Sequence, residues 1–352
     1  MDDYIKIFSN IKIVKGVRFG LVIDYQNKKY FRVERNIFDL ILKFDGVKIK
    51  NIYNINRSYD KGSIDKLLKI LVKQNLIFIT KIPNQFPPID MNYFWPSQIS
   101  NAIIDVNFKH IEFYKDVFDD LTDLGCEFMK LRIFHELNFK LVENILNLLD
   151  KSSVINCTIE ISKINPSKIS KLDNLFNSFH ILKQIVIFNF REDIKINPRI
   201  ENGELILRSE EVNSHTSCGV VSENIFLSNI NFLSEGLKFN TCLNRKVGID
   251  FNGEIKNCPS MRKSHGNIQN SRIKEICISN DFIELWSITK DKISVCKDCE
   301  FRYVCTDCRA FIEDPEDYFS KPLKCGYNPY IGQWSEWSTN PLKKKAIEFY
   351  KL

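Results

Sequence analysis

Four thiols fall within thirteen residues in the stretch Cys296-Lys-Asp-Cys299-Glu-Phe-Arg-Tyr-Val-Cys305-Thr-Asp-Cys308. A CxxC pair lets two thiolates reach one metal centre across a tight turn. Two such pairs five residues apart supply four soft ligands on a short length of chain. Cys325 follows, and upstream stand Cys258, Cys242 and, in His215-Thr-Ser-Cys218-Gly219, Cys218. Eight thiols suit two tetranuclear iron–sulfur clusters. They suit two zinc tetrathiolate sites equally, and spacing does not choose between them. Asn252-Gly253 reads as the turn of a hairpin that holds Cys242 and Cys258 near one another across fifteen intervening residues. Lys297, Arg302, Arg309, Lys321 and Lys324 surround the later thiols. Cations there offset an anionic site of either kind, but each one taken alone reads as a solvated side chain.

The remaining chemistry-bearing residues are scattered. Cys126 and Cys157 sit in apolar settings and read as buried structural thiols, and Cys277 is a spare. His110, His135 and His180 are isolated and read as structural. No glycine-rich phosphate loop follows the first strand of the regular middle region, so a nucleotide site is not supported. The net charge of +6 over 352 residues is mild, and no lysine–arginine block is dense enough to argue for nucleic acid. The N-terminal MDDYIKIFSN lacks the pattern of a signal peptide, and no apolar run approaches the twenty or so residues that span a bilayer. The expectation is a cytoplasmic protein, in which clustered thiols are metal ligands or redox groups rather than disulfides.

With 44% hydrophobic residues the chain can build a substantial core. Residues 11–24 and 28–34 read as short strands joined at Gln26-Asn27. A helix from Arg35 ends at Gly46, a second runs from about Ser63 to Gln74, and 75–80 return to strand. Pro83, Pro87, Pro88 and Pro96 mark a linker at 81–99, with Phe94 and Trp95 packing it onto a neighbour. From residue 101, strands beginning near 102, 128, 154 and 181 alternate with helices over 111–125, 139–150 and 167–179. Starts about 27 residues apart are the length of a βα unit. Four units give a partial barrel or an open α/β sheet, and residues 203–209 add an edge hairpin. Residues 220–237 mix strand and helix signals.

The cysteine pattern resembles a known family. Cys242-x10-Gly253-x4-Cys258, Cys296-x2-Cys299-x5-Cys305, then Cys308 and Cys325, looks like the SPASM domain found behind radical S-adenosylmethionine peptide-modifying enzymes, and Gly266-Asn267-Ile268 matches its short GNI segment. One departure is the two residues between Cys305 and Cys308, where three are usual. The wording CEFRYVCTDCRAF, residues 299–311, resembles the maturases encoded beside an ATP-grasp ligase, the grasp-with-spasm systems. Residues 6–80 resemble, more loosely, the winged-helix-like peptide-recognition element of pathways that modify ribosomally made peptides, in which a leader peptide adds a strand to a sheet edge.

The resemblance implies an α/β chain of three parts: a peptide-recognition module (1–80) with its linker (81–99), a degenerate partial (β/α) barrel (100–237) and a SPASM iron–sulfur domain (238–352). It implies two [4Fe–4S] clusters, one held by Cys296, Cys299, Cys305 and Cys325. The other is held by Cys242, Cys258 and Cys308, with Cys218 as the candidate fourth ligand. A radical enzyme of this kind also carries CxxxCxxC after its first barrel strand. Here that segment, Val106-Asn-Phe-Lys-His110-Ile-Glu, has no cysteine, so no S-adenosylmethionine-binding cluster is expected. The implied function is binding of a precursor peptide and assistance in its maturation with a partner ATP-grasp ligase that forms ester or amide crosslinks. The alternatives are a redox enzyme acting on the peptide through an auxiliary cluster and a zinc-binding scaffold. No catalytic residue is assigned, and neither nucleic acid nor membrane is an expected partner.

Overall fold

The computed structural model describes residues 3–55, 59–196 and 203–352. The first eighty residues form two small antiparallel sheets with helices between them. Strands β1 (Tyr4–Ile7), β2 (Ile11–Lys15), β3 (Phe19–Asp24) and β4 (Lys29–Glu34) precede helix α1 (Arg35–Leu42). Strand β5 (Val47–Lys48), helices α2 (Ile52–Ile55) and α3 (Lys61–Lys73) and strand β6 (Ile77–Thr80) follow. Strands β2, β3 and β4 make a meander, while β1 lies between β5 and β6. The β3–β4 turn is fixed by Asp24, whose Oδ1 accepts from the backbone N–H of Gln26 and Asn27, each at 3.1 Å. Helix α3 starts where Asp60 accepts from the backbone N–H of Ser63. Helix α1 stops at Leu42, four residues short of the glycine expected to end it. Gly46 (φ +74°) instead turns the chain into β5.

The regular middle folds as its periodicity requires. Strands β7 (Asn101–Asp105), β8 (Phe128–Glu136), β9 (Asn156–Lys163) and β10 (Leu182–Ile187) alternate with helices α4 (Tyr114–Asp123), α5 (Phe139–Leu149) and α6 (Leu172–Ser178). All four strands pair in parallel. Helix α4 buries Val117, Phe118 and Leu121 on one stripe, and α5 buries Val142, Ile145, Leu146 and Leu149. The expected edge hairpin is β11 (Ile194–Ile196) with β12 (Glu204–Leu207), and β12 runs parallel to β10. Helix α7 (Ile230–Gly236) occupies the end of the mixed-signal stretch, capped by the Asn229 side chain.

The sheet does not stop there. Strand β13 (Lys246–Ile249) returns to pair in parallel with β7, and β14 (Glu254–Lys256) and β15 (Gly266–Asn267) extend it antiparallel. The result is one open, mixed nine-stranded sheet, and helix α8 (Ile273–Cys277) packs its start against α4. One apolar core runs from Ile104 and Ile159 through Val247 and Ile255 to Phe282 and Phe311. A second fills the N-terminal region around Ile41, Phe44 and Ile64. A third joins Val14, Leu21 and Ile23 of the meander to Phe301, Cys305 and Cys325 of the thiol array. Of the linker aromatics, Phe94 is exposed rather than packed, whereas Trp95 is half-buried near the Phe128 ring. Among the described residues no helix is long and apolar enough to cross a membrane.

Candidate metal centre

Cys296, Cys299, Cys305 and Cys325 line one cleft together with Phe301 and Trp334. Cys296 opens a 3-10 turn behind Val295, whose φ of +67° forces the chain to reverse, and the N–H of Cys299 donates to the Cys296 carbonyl at 3.0 Å. This compact turn puts the first pair of thiols on one side of the loop. The Cys325 carbonyl accepts from Lys343 Nζ at 2.7 Å, and residue 325 bridges in parallel to Val221. Trp334 covers one side of this cleft. Its ring lies 4.9 Å from Tyr327 and 6.4 Å from Phe301, and its Nε1 donates to Glu223.

Cys218, Cys242, Cys258 and Cys308 form a second group, in which a charge on Cys218 acts on each of the other three thiols. Cys258 and Cys308 are buried, Cys242 is half-buried and Cys218 is exposed. Gly219, at φ +91°, carries the chain past Cys308 so closely that a Cβ there would stand 2.9 Å from the Cys308 sulfur. Asn240 pins the Cys242 turn: its Oδ1 accepts from the N–H of Cys242 and Leu243, and its Nδ2 donates to Asp307 at 2.6 Å. The hairpin predicted around Asn252-Gly253 is β13–β14, with Gly253 at φ +82°. Burial and the neighbouring Cys218 and Cys242 push the Cys258 thiol up to about 11, and burial pushes Cys296 up to about 12. Such thiols ionise when a metal displaces the proton. Among the described residues no three His, Cys, Asp or Glu side chains converge closely enough to hold a single ion.

Sequence reasoning missed two cations set against the thiols, Lys290 buried and Lys246 half-buried. Lys290 Nζ stands 3.4 Å from the Cys305 sulfur and 3.1 Å from Asp307. Lys246 Nζ stands 3.8 Å from the Cys242 sulfur. Each thiol group therefore has its own lysine. Asp307 also takes Arg309 Nη2 at 2.9 Å. Burial opposes its charge, but Arg309 and Lys290 outweigh that and hold its carboxyl at about 2. Of the five basic residues expected in solvent, Arg309 and Lys324 are buried. Arg302 lines the Cys296 cleft, donating to the Cys299 carbonyl at 2.9 Å and pairing with Asp291, and Lys297 is exposed. Neither missed lysine lies within a CxxC spacing, so the signal would have been a lysine inside an otherwise apolar strand or loop.

The C-terminal end of the parallel strands adjoins the Cys218 group. Asp105 closes β7, and Arg132 of β8 donates to it at 2.6 Å, both side chains being buried. Arg132 also lies within the electrostatic reach of Cys258 and Cys218, and its Nη2 has no hydrogen-bond partner. Burial lowers the pKa of His215, beside the same pair. The histidines read as structural bear no relation to the thiols: His135 faces the Val106 carbonyl at 3.0 Å and the Phe108 ring. Cys126 and Cys157 are buried in the main core, and Cys277 sits near Cys126, apart from both groups.

Comparison with known proteins agrees with this placement at the level of the domain. Residues 241–300 match the SPASM iron–sulfur cluster-binding domain, a span that contains Cys242, Cys258, Cys296 and Cys299. No curated protein matches the chain. Among solved structures, Streptococcus suis SuiB bound to S-adenosylmethionine is 12% identical with a TM-score of 0.33, covering 87% of this chain and 96% of that one. SuiB alone gives 12% and 0.31 over the same shares. SuiB bound to its precursor peptide SuiA gives 11% and 0.30 over 88% of this chain and 96% of that one.

Proposed function

We propose that the chain is an iron–sulfur protein that engages a ribosomally made precursor peptide and takes part in its maturation. The Cys296 group holds one [4Fe–4S] cluster and the Cys218 group another. The observation that carries this reading is the separation of eight thiols into two groups of four, each with one lysine within 4 Å of a sulfur. A tetranuclear cluster takes its thiolates at separate irons, so its ligands need not meet at a point as those of zinc must. Cations so placed offset the negative charge of a thiolate-ligated centre. When bound, such a cluster supplies one-electron chemistry. The segment after β7 carries no cysteine, so the reading includes no S-adenosylmethionine-binding cluster.

In this reading residues 1–80 are a winged-helix-like peptide-binding module and 81–99 its tether. Residues 100–237 are a barrel-derived scaffold and 238–352 the cluster domain, in a reducing cytoplasm. The outer edge of β4 pairs with no strand among the described residues and offers its backbone groups to an added strand. The meander is also fastened to the array: Val17 N–H donates to the Asp298 carbonyl at 2.9 Å and Arg302 donates to the Lys15 carbonyl at 2.6 Å. A peptide held on this module is thereby held beside the Cys296 group.

Exposure of Cys218 at the mouth of the sheet favours a direct redox role on the peptide. The second reading makes the chain the partner of an ATP-grasp ligase that forms the ester or amide bond, and it rests on the wording of residues 299–311. Anaerobic reconstitution with precursor peptide, with and without the ligase, followed by mass analysis, separates the two. A mass change with this protein and a reductant alone supports the redox role. A change that waits for the ligase supports the partner role. A colourless protein carrying zinc sinks both.

A further inference from the structure

The N-terminal eighty residues carry the positive charge of the chain. They hold 16 lysines and arginines against 8 aspartates and glutamates, a net +8 in a chain whose total is +6. Among the described residues of this region β6 is an edge strand, with β1 on one side and no strand on the other. On β1 the Asp3 and Ile5 carbonyls turn toward β5, accepting from Ile49 and Gly46, while Phe8 donates to the Leu76 carbonyl at 3.2 Å. With Lys6 opposite Phe78 and Tyr4 opposite Thr80, alternation along the ladder turns the backbone groups of Ile77 and Ile79 away from β1. The Ile79 side chain is 56% exposed, and Ile82, just past the strand, is 50% exposed. An added strand would gain both hydrogen bonds and apolar burial at such an edge.

Charge says what kind of strand fits. Residues 66–89 contain Lys66, Lys69, Lys73 and Lys81 and no carboxylate. Lys73 ends α3 just ahead of β6 and Lys81 follows the strand, so the two bracket it, and all four lysines are exposed. Two carboxylates oppose them. Asp65, earlier on α3, accepts from the Tyr53 hydroxyl at 2.5 Å, and Asp3 lies one place beyond the Tyr4–Thr80 pair. Lys61 beside Asp60, and Lys6 paired with Asp45, add nothing net. Four lysines against two aspartates leave the strip positive. A second copy of the chain would bring these lysines against their own equivalents, so the occupant is a different chain. Nor is it placed as a substrate. Strands β1 and β6 pack in the second core, whereas the third core, which closes the Cys296 group, takes from this region only the meander and its turn.

We propose that the free edge of β6 docks an acidic, extended segment of a partner protein, one that alternates carboxylates with apolar side chains and adds itself as a strand beside Ile79. The inference goes beyond the cluster reading and needs neither a cluster nor the precursor peptide.

The test titrates the 352-residue chain into a fluorescein-labelled synthetic peptide of alternating Glu and Val and follows its anisotropy. The peptide binds saturably, added salt weakens it, and the counterpart of alternating Lys and Val does not bind. Ile79→Pro removes one outward N–H, spares the bonds to β1 and weakens binding roughly tenfold. Lys73→Glu combined with Lys81→Glu weakens it as much, while Phe31→Lys on the β4 edge leaves it unchanged. Should Ile79→Pro melt below wild type, a fully N-methylated Glu–Val peptide replaces it, keeping the charges without the backbone donors and binding as weakly. Absence of saturable binding, equal binding of the Lys–Val peptide, or full affinity for Ile79→Pro or for the N-methylated peptide overturns the proposal. So does loss of binding in Phe31→Lys or displacement by excess precursor peptide, since either makes the occupant the substrate on the β4 edge. Sedimentation velocity covers the remaining occupant: a wild-type dimer that Ile79→Pro splits makes the edge a contact between copies and overturns the proposal as well.

Discussion

At Cys218 the backbone, not the thiol, carries the tertiary contacts. Its carbonyl accepts from Lys324, and Gly219 threads the chain against Cys308, leaving the sulfur at the surface beside three more sheltered partners. Cys218→Ala keeps those contacts and removes only the sulfur, so the fold should survive while one centre loses a corner. The expected result is loss of roughly half the bound iron. Cys277→Ala, in the core near Cys126, should keep all of it and lose some thermal stability through the small cavity left behind. Iron and sulfide per chain check both, and a Cys277→Ala variant short of iron would redraw the ligand set. The thiols were legible in the sequence because ligand spacing is local: CxxC is a turn, and a turn is written in adjacent residues. Lys246 and Lys290 were not, because a lysine is read as solvated unless the chain that buries it is known, and those walls come from residues far away in sequence.

Two elements decide how the groups are held and approached. Helix α4 presents Asp120, almost fully buried, to the start of α8. It accepts from Arg272 Nε at 3.0 Å and from the backbone N–H of Lys274 at 3.4 Å. Burial works against the Asp120 charge, but Arg272 and Lys274 outweigh it and hold the carboxyl below its ordinary value of 3.8. A group with a depressed folded-state pKa stabilises the fold above its unfolded value, and that contribution is lost as pH falls through the folded one. Asp120→Asn should therefore cost roughly 1.5 kcal/mol at neutral pH, a modest figure because Arg272 is half-exposed and water screens it. Urea melts should show the gap from wild type shrinking below pH 3.8, and a gap that is constant down to pH 3 would remove the ion pair from the account. Strand β4 makes the other case. Phe31 lies partly exposed on the free edge, and Phe31→Lys places a charge where an added strand would lie. Precursor peptide should bind at least tenfold more weakly by anisotropy while iron content stays at wild type; unchanged affinity would move the peptide elsewhere. The βα units around these elements were legible because their apolar periods repeat every turn or every second residue. The short strand β1 was not, since four residues carry too little period to be told from a loop.

Across the whole molecule the decisive pairing is the least local. Strand β13 returns over more than 140 residues to lie beside β7, and no local pattern in either strand names the other. The sequence divides naturally at 237/238, where the barrel-like repeat gives way to the cysteine-bearing region, yet the packing runs across that position. Val247 and Ile249 are buried in the same core as Ile104 and Ile159, and Cys258 belongs to that core too. The third core does the same from the other side, closing the Cys296 group with Val14, Leu21 and Ile23 of the meander. Neither thiol group is walled by the cysteine-bearing region alone. A fragment of residues 238–352 would expose the β13 edge and the inner faces of both cores, so it should lack a cooperative melt and protect few of its β13–β14 amides from exchange. The 352-residue chain, in contrast, should melt with the meander, the parallel strands and the array unfolding together, because the array is common to the two cores that hold them. Hydrogen exchange of β2, β7 and β13 in the same sample decides it. Equal protection in all three supports one cooperative unit, whereas a fragment that folds and takes up full iron by itself would make the array an independent domain.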